Sequence, residues 1–304
     1  MSSDPTVSSV VLTLGFRLPL LRDGSYCEVY KLPALAAVQT GLPLSTNRVV
    51  KILRLNNDGG PIGFSHVLAF LSNIRAATPE AFEHRHITSF DILDATQVTP
   101  LGPQPTLALV TPFYCQGDIL NYGNRCSPAR KLSLLIQIAQ ALEHLHHYDV
   151  VHGHIYPGNI YVTDTGNATV TDALVYTLAS QYILHPHATI PLQNSFIYQA
   201  RERLWPGTYV FIPPAKTSDV YAFASVIYAV VTGNPPFQGS PHRTLERSVA
   251  EILFHGHLRV PRPGADIMGD NLWDLVQRCW ALGAAARPTM DEVVTTLEDI
   301  ELYD

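Results

Sequence analysis

Val151-His152-Gly153-His154-Ile155-Tyr156-Pro157-Gly158-Asn159-Ile160-Tyr161-Val162, then a turn at Asp164 to Gly166 and Val170-Thr171-Asp172, is the most informative stretch of the chain. It sets an imidazole at His154, a carboxamide at Asn159 and a carboxylate at Asp172 close together in sequence. Read singly, Asn159 caps a loop and Asp172 occupies a turn. Upstream, Ser127-Pro128 supplies a helix cap and first-turn proline, and Leu132, Leu135, Ile136, Ala139, Leu142 and Leu145 recur at helical intervals. Downstream, Ser218-Asp219 reads as the cap of an apolar helix through Val231, and Asp291 to Leu302 as a final amphipathic helix. Before Gly117 the pattern changes. Val29-Tyr30, Val49-Val50-Lys51-Ile52-Leu53 and Leu107-Ala108-Leu109-Val110 read as strands, and Phe64 to Arg75 as one helix ending before Pro79. Leu32 to Asn47, rich in Pro, Gly and Ala, reads as a long hairpin loop.

With 304 residues, 46% apolar and 15% charged, the chain is long enough for one large core or two adjoining lobes. The formal charge of -6 comes without a basic run, so neither nucleic acid nor an anionic membrane is expected as a partner. Cys27, Cys115, Cys126 and Cys279 lie far apart, which favours isolated thiols over a zinc or redox site. The longest apolar run, Val220 to Val231, is shorter than the ~20 residues a membrane-spanning helix needs. Met1 to Val10 lacks the pattern of a secretory signal, so a cytoplasmic protein without membrane insertion is expected.

The quoted stretch resembles the protein kinase family, whose catalytic loop reads H-R-D-L-K-P-x-N and whose metal motif D-F-G follows a short hairpin. Further matches run in the same order. Ser218-Asp219-Val220-Tyr221-Ala222-Phe223-Ala224 is similar to S-D-V-x-S-F-G, and Thr232-Gly233-Asn234-Pro235-Pro236-Phe237 to T-G-x-x-P-F. Cys279-Trp280 and Arg287-Pro288 resemble a signature of tyrosine and tyrosine-kinase-like kinases, with Ala284 in place of its first proline. The resemblance spans about Leu12 to Leu302 and implies an α+β, bilobal kinase-like fold. A small, mainly β N-lobe would cover about 12–111, a hinge about 112–117 and a larger, mainly helical C-lobe about 118–304, after a disordered N-terminus at 1–11. Glu202 and Arg287 would form the family's structural ion pair, with Asp219 a further structural residue.

For nucleotide binding, the resemblance implies Lys51 on the α and β phosphates, and Val29 and Val49 beside it. Thr111 stands at the gatekeeper position, Pro112 and Tyr114 offer hinge backbone to adenine, and Tyr161 lies beneath the base, stacking on it or filling its pocket. Asn159 and Asp172 would hold magnesium. The glycine loop, Arg22 to Val29, keeps only Gly24 of three glycines and competes with a plain hairpin turn. Arg75 falls where helix C should offer a glutamate, unless a shifted register brings in Glu80 or Glu83. The catalytic carboxylate and lysine positions hold His154 and Tyr156, Gly153 replaces an arginine, and Asp172-Ala173-Leu174 lacks the Phe and Gly of D-F-G. Histidine has an ordinary pKa of ~6.5 and brings no negative charge, and losing a positioned base costs ~10²–10⁴-fold.

The expectation is therefore a pseudokinase: an interaction scaffold or nucleotide-sensitive switch, with protein partners or another kinase, and with ATP and Mg2+ as the cofactors if its nucleotide site is retained. The alternative is a divergent, active ATP-dependent kinase of Ser/Thr or Tyr in proteins, with His154 as base.

Overall fold

The computed structural model describes residues 20–23, 27–32, 48–53, 69, 71–73, 76–94, 107–174, 194–204, 213–237, 252, 254–255, 257 and 260–303. Chain packing separates two compact units, one of residues 1–82, 88–113 and 178–190, the other of residues 83–87, 114–177 and 191–304. The first is built on β structure and the second mainly on helices, as expected for an α+β kinase-like fold.

Unit 1 holds an antiparallel sheet of five strands: β1 (Leu20–Asp23), β2 (Cys27–Leu32), β3 (Arg48–Leu53), β4 (Asp91–Asp94) and β5 (Leu107–Pro112), in the order β1-β2-β3-β5-β4. Valine, isoleucine and leucine are frequent in β3 and β5, two of the three inner strands, where Val50, Ala108, Leu109 and Val110 are buried. The expected strands are present; β1 and β4 were not foreseen. Of the helix expected over Phe64 to Arg75, Ala69 and Leu71–Asn73 are helical and Leu71 is buried, while 64–68, 70, 74 and Arg75 lie outside the described residues. Thr78 is not helical and Pro79–Phe82 forms a 3-10 turn, so no continuous α-helix carries Glu80 or Glu83. Gly24 and the loop residues 33–47 are likewise outside the described residues.

Unit 2 contains α1 (Ile119–Gly123), α2 (Pro128–His147), β6 (Ile160–Val162), β7 (Ala168–Val170), α3 (Arg201–Leu204), α4 (Lys216–Thr232), α5 (Asp270–Cys279) and α6 (Met290–Tyr303). α2 starts as its sequence dictates: Ser127 Oγ accepts from the Arg130 N–H, and Pro128 opens the first turn. Its apolar stripe, including Leu134, Ile138, Leu142 and Leu145, is fully buried where α6, β7 and α4 pack against it. α4 corrects one expectation. It begins at Lys216 after the N-cap Ala215, so Ser218 and Asp219 lie inside it. Ser218 still closes the end, because its hydroxyl accepts from Ala215 N–H and donates to Ala215 C=O. Gly233, at φ +75°, stops the helix in a conformation that side chains resist.

Candidate functional site

In unit 1, the strand register places four expected nucleotide residues on one sheet face. Val29 lies opposite Lys51, Val49 opposite Thr111, and Val49 and Lys51 are two residues apart on β3. Lys51 is 7% exposed, which is unusual for an ammonium and sets it apart from a solvated edge lysine. Thr111 is also buried, and Pro112 closes β5 opposite Arg48.

In unit 2, the catalytic-loop stretch hangs from one buried carboxylate. Asp219 on α4 accepts the backbone N–H of His152 at 2.8 Å and of Gly153 at 2.9 Å, and pairs with His146 Nε2 at 3.0 Å. Its burial inside the helix is what lets it pin two consecutive loop amides. His152 Nε2 bonds Thr171 C=O at 2.8 Å, and burial pushes this imidazole below its ordinary pKa, toward the neutral ring. The loop is thereby tied to the strand that leads into Asp172.

Asn159 is buried; its Nδ2 donates to His154 C=O at 3.0 Å and lies 3.4 Å from His154 Nδ1. Thr171 N–H bonds Asn159 C=O at 2.9 Å, so one hydrogen bond joins the chain segments bearing Asn159 and Asp172. Asp172 sits at φ +67° and Leu174 at φ +69°. A leucine in that left-handed region carries a strain of ~1–2 kcal/mol, where a glycine would carry none.

His154 is buried, its ring 4.7 Å from that of Tyr156 at 33°. Tyr156 in turn lies 6.4 Å from Tyr198, whose phenol is raised by burial and by Asp118. The three rings form an aromatic wall beside the catalytic-loop stretch. Tyr114 and Tyr161 also approach, with ring centroids 6.1 Å apart. Among the described residues no group of three or more His, Cys, Asp or Glu has metal-holding geometry. The oxygen donors Asn159 and Asp172 fit magnesium, which takes its other ligands from phosphate and water.

Glu202 and Arg287 form the expected pair, with Arg287 NH1 and NH2 donating to the two carboxylate oxygens at 2.5 and 3.0 Å. Arg287 also donates to Thr217 and Ala281 carbonyls and lies over the Tyr221 ring. Cys115, Cys126 and Cys279 form no disulfide, Cys115 Sγ donates to Asp164 Oδ1 at 2.8 Å, and burial pushes Cys279 up to about 12. Sequence reasoning missed His146, the side-chain partner of Asp219, and Gly158, the neighbour of the Tyr156 ring. It also missed His257, which links Tyr221 (2.5 Å) to Ile197 C=O (2.9 Å). Only the helical phase of His146, four residues after Leu142, hinted at its inward placement.

A model of the protein tyrosine and serine/threonine kinase family matches residues 65–297. Over 184 residues the chain is 28% identical to the serine/threonine-protein kinase PrkC of Bacillus subtilis, covering 59% of this chain and 26% of that one. It is 27% identical over 214 residues to PkaB of Streptomyces coelicolor, covering 64% and 46%. To the human serine/threonine-protein kinase Nek10 it is 28% identical over 172 residues, covering 56% and 13%. The chain thus spans less than half the length of each of these relatives.

Proposed function

The chain belongs to the protein tyrosine and serine/threonine kinase family, and on that premise we propose that it acts as a pseudokinase, an interaction scaffold or nucleotide-sensitive switch that transfers little or no phosphate. One observation carries the reading: the buried His154 ring packed against Tyr156. Phosphoryl transfer to a hydroxyl needs a carboxylate that orients the nucleophile and accepts its proton, with a cation beside the transferred charge. An imidazole held against a phenol supplies neither.

The nucleotide half of the machinery is better kept. The shared face of Val29, Val49, Lys51 and Thr111 supports phosphate and base contacts by those residues. The nucleotide roles expected of Gly24, Pro112, Tyr114 and Tyr161 belong to the same proposal. Asn159 and Asp172 are the residues that would hold magnesium, which neutralises phosphate charge when bound. Protein partners, another kinase among them, and a cytoplasmic location belong to the same proposal. So does the tyrosine-kinase-like subgroup, which rests on Cys279-Trp280 and Arg287-Pro288. No described helix is long and apolar enough to cross a membrane.

A second reading, a divergent active protein kinase with His154 as base, is favoured by the join between the Asn159 and Asp172 segments and by relatives that are themselves serine/threonine kinases. Thermal-shift titration with ATP, with and without magnesium, separates the outcomes when run beside a radiolabelled transfer assay on a generic peptide library. The pseudokinase reading expects magnesium-dependent stabilisation, lost in Lys51→Ala and Asp172→Ala, without transfer. Magnesium-dependent transfer that rises with pH through the imidazole range and disappears in His154→Ala overturns it.

A further inference from the structure

We infer that unit 2 carries a docking site for a phosphate monoester on a protein segment, in the hollow between residues 83–87 and the C-terminal half of α2. Residue His84 lies against His144 of α2, ring centroids 4.8 Å apart and planes 23° from parallel. His86 stands 5.4 Å from His84, and Tyr148 is edge-on to both His144 and His147. His84, His144 and His147 join Arg85, Gln140 and Glu143 around a hollow of about 370 Å³. None of these residues belongs to the catalytic-loop site.

The electrostatics favour an anion. In a chain of net charge -6, three imidazoles and a guanidinium meet in one hollow. Arg85 is exposed and makes no ion pair among the described residues. His84 is lowered to about 4, first by burial and then by His144, His86 and Arg85, so its ring offers a neutral N–H and the standing positive charge is that of Arg85. A phosphate dianion would take two parallel N–H···O bonds from Arg85 and further donors on the rings. The one carboxylate in the hollow, Glu143, is raised by burial and by its hydrogen bond to Asp291, which it faces on α6.

The neighbouring space identifies the carrier. Arg85 also lines a second hollow, of about 240 Å³, walled in part by Ser133, Gln137 and Asn167. Hydroxyl and carboxamide groups there suit the donors and acceptors of a peptide main chain. Glu301 in that hollow and Glu298 on the same helix oppose the repeated charge of a polynucleotide. A phosphorylated protein segment, its phosphate beside Arg85 and its backbone along the amides, fits both hollows. The site goes beyond the pseudokinase reading and stands whether or not the catalytic loop transfers phosphate.

Histidine-ring NMR of the full chain tests it, with four probes: a capped alanine pentapeptide with central phosphoserine, its unphosphorylated twin, inorganic phosphate, and a short single-stranded oligonucleotide. Saturable shifts at His84 and His144 are expected with the phosphopeptide. It should bind about ten-fold tighter than inorganic phosphate and lose about ten-fold in Arg85→Ala. His147→Gln, a second exposed position, should weaken binding as well, and thermal melts verify that both variants fold. The inference is overturned by no shift at millimolar phosphopeptide, by equal binding of peptide and inorganic phosphate, by equal binding of the unphosphorylated twin, by preference for the oligonucleotide, or by full binding in Arg85→Ala.

Discussion

Gly158 has no room for a side chain while Tyr156 keeps its place, since a Cβ there would meet the Tyr156 ring at 2.5 Å. The tyrosine at the lysine position and the glycine two residues on are a matched pair. Gly158→Ala should displace the ring from His154 and cost about 1 kcal/mol, the worth of an aromatic pair beyond its area. Urea denaturation checks this, and adding Tyr156→Ala should remove most of the effect; simple additivity would sink the pairing. Gly153 makes a second residue-level case. It sits at φ +81° while its N–H is fixed on Asp219. Gly153→Ala, or a return to the family's arginine, should therefore destabilise by ~1–2 kcal/mol. A variant as stable as the parent would show that the loop relaxes out of the left-handed conformation.

At the level of elements, the Glu202–Arg287 pair joins α3 to the segment before α6. The arginine side chain is wholly buried and bonds two carbonyls besides the carboxylate. Arg287→Ala leaves Glu202 without its cation, and the expected loss is ~3–5 kcal/mol by chemical denaturation. A loss under about 1 kcal/mol would place the pair with solvent-screened surface bridges. This pair was legible because two motif residues far apart in sequence imply each other. α2 was legible for a local reason: cap, proline and apolar period all agree over one stretch. The start of α4 was not, because Ser and Asp are ordinary cap residues, and nothing local reveals that Asp219 faces inward to bind the loop amides. β4 escaped notice because aspartates occupy both its ends, leaving only Ile92 and Leu93 as strand formers. At the candidate site, positions were readable from motif order. The His154–Tyr156–Tyr198 wall was not, since ring contacts depend on how separate segments fold together.

For the whole molecule, thirteen histidines and a formal charge of -6 make acid the condition to examine. His257 is completely buried among Tyr221, Phe237 and Trp280, and burial holds it down at about 3. His84 at about 4, and His86 and His152 lowered as well, act with the same sign. A histidine whose folded pKa lies below its unfolded ~6.5 stabilises the fold fully at higher pH. That stability is lost as pH falls from ~6.5 toward the folded value, because only the unfolded chain then takes up the proton. At pH 5, His257 alone should remove about 2 kcal/mol relative to pH 7.5, by linkage between ~6.5 and the folded value. Glu143, raised in the folded state, works in the opposite direction. Urea midpoints measured from pH 7.5 to 5 should therefore fall steadily. His257→Gln lacks this proton site, so its curve should be shallower by about 2 kcal/mol, whatever its stability at neutral pH. Parallel curves for the two proteins would mean that His257 accepts its proton in the folded state, and that the polar link from α4 to Ile197 opens as the chain is acidified.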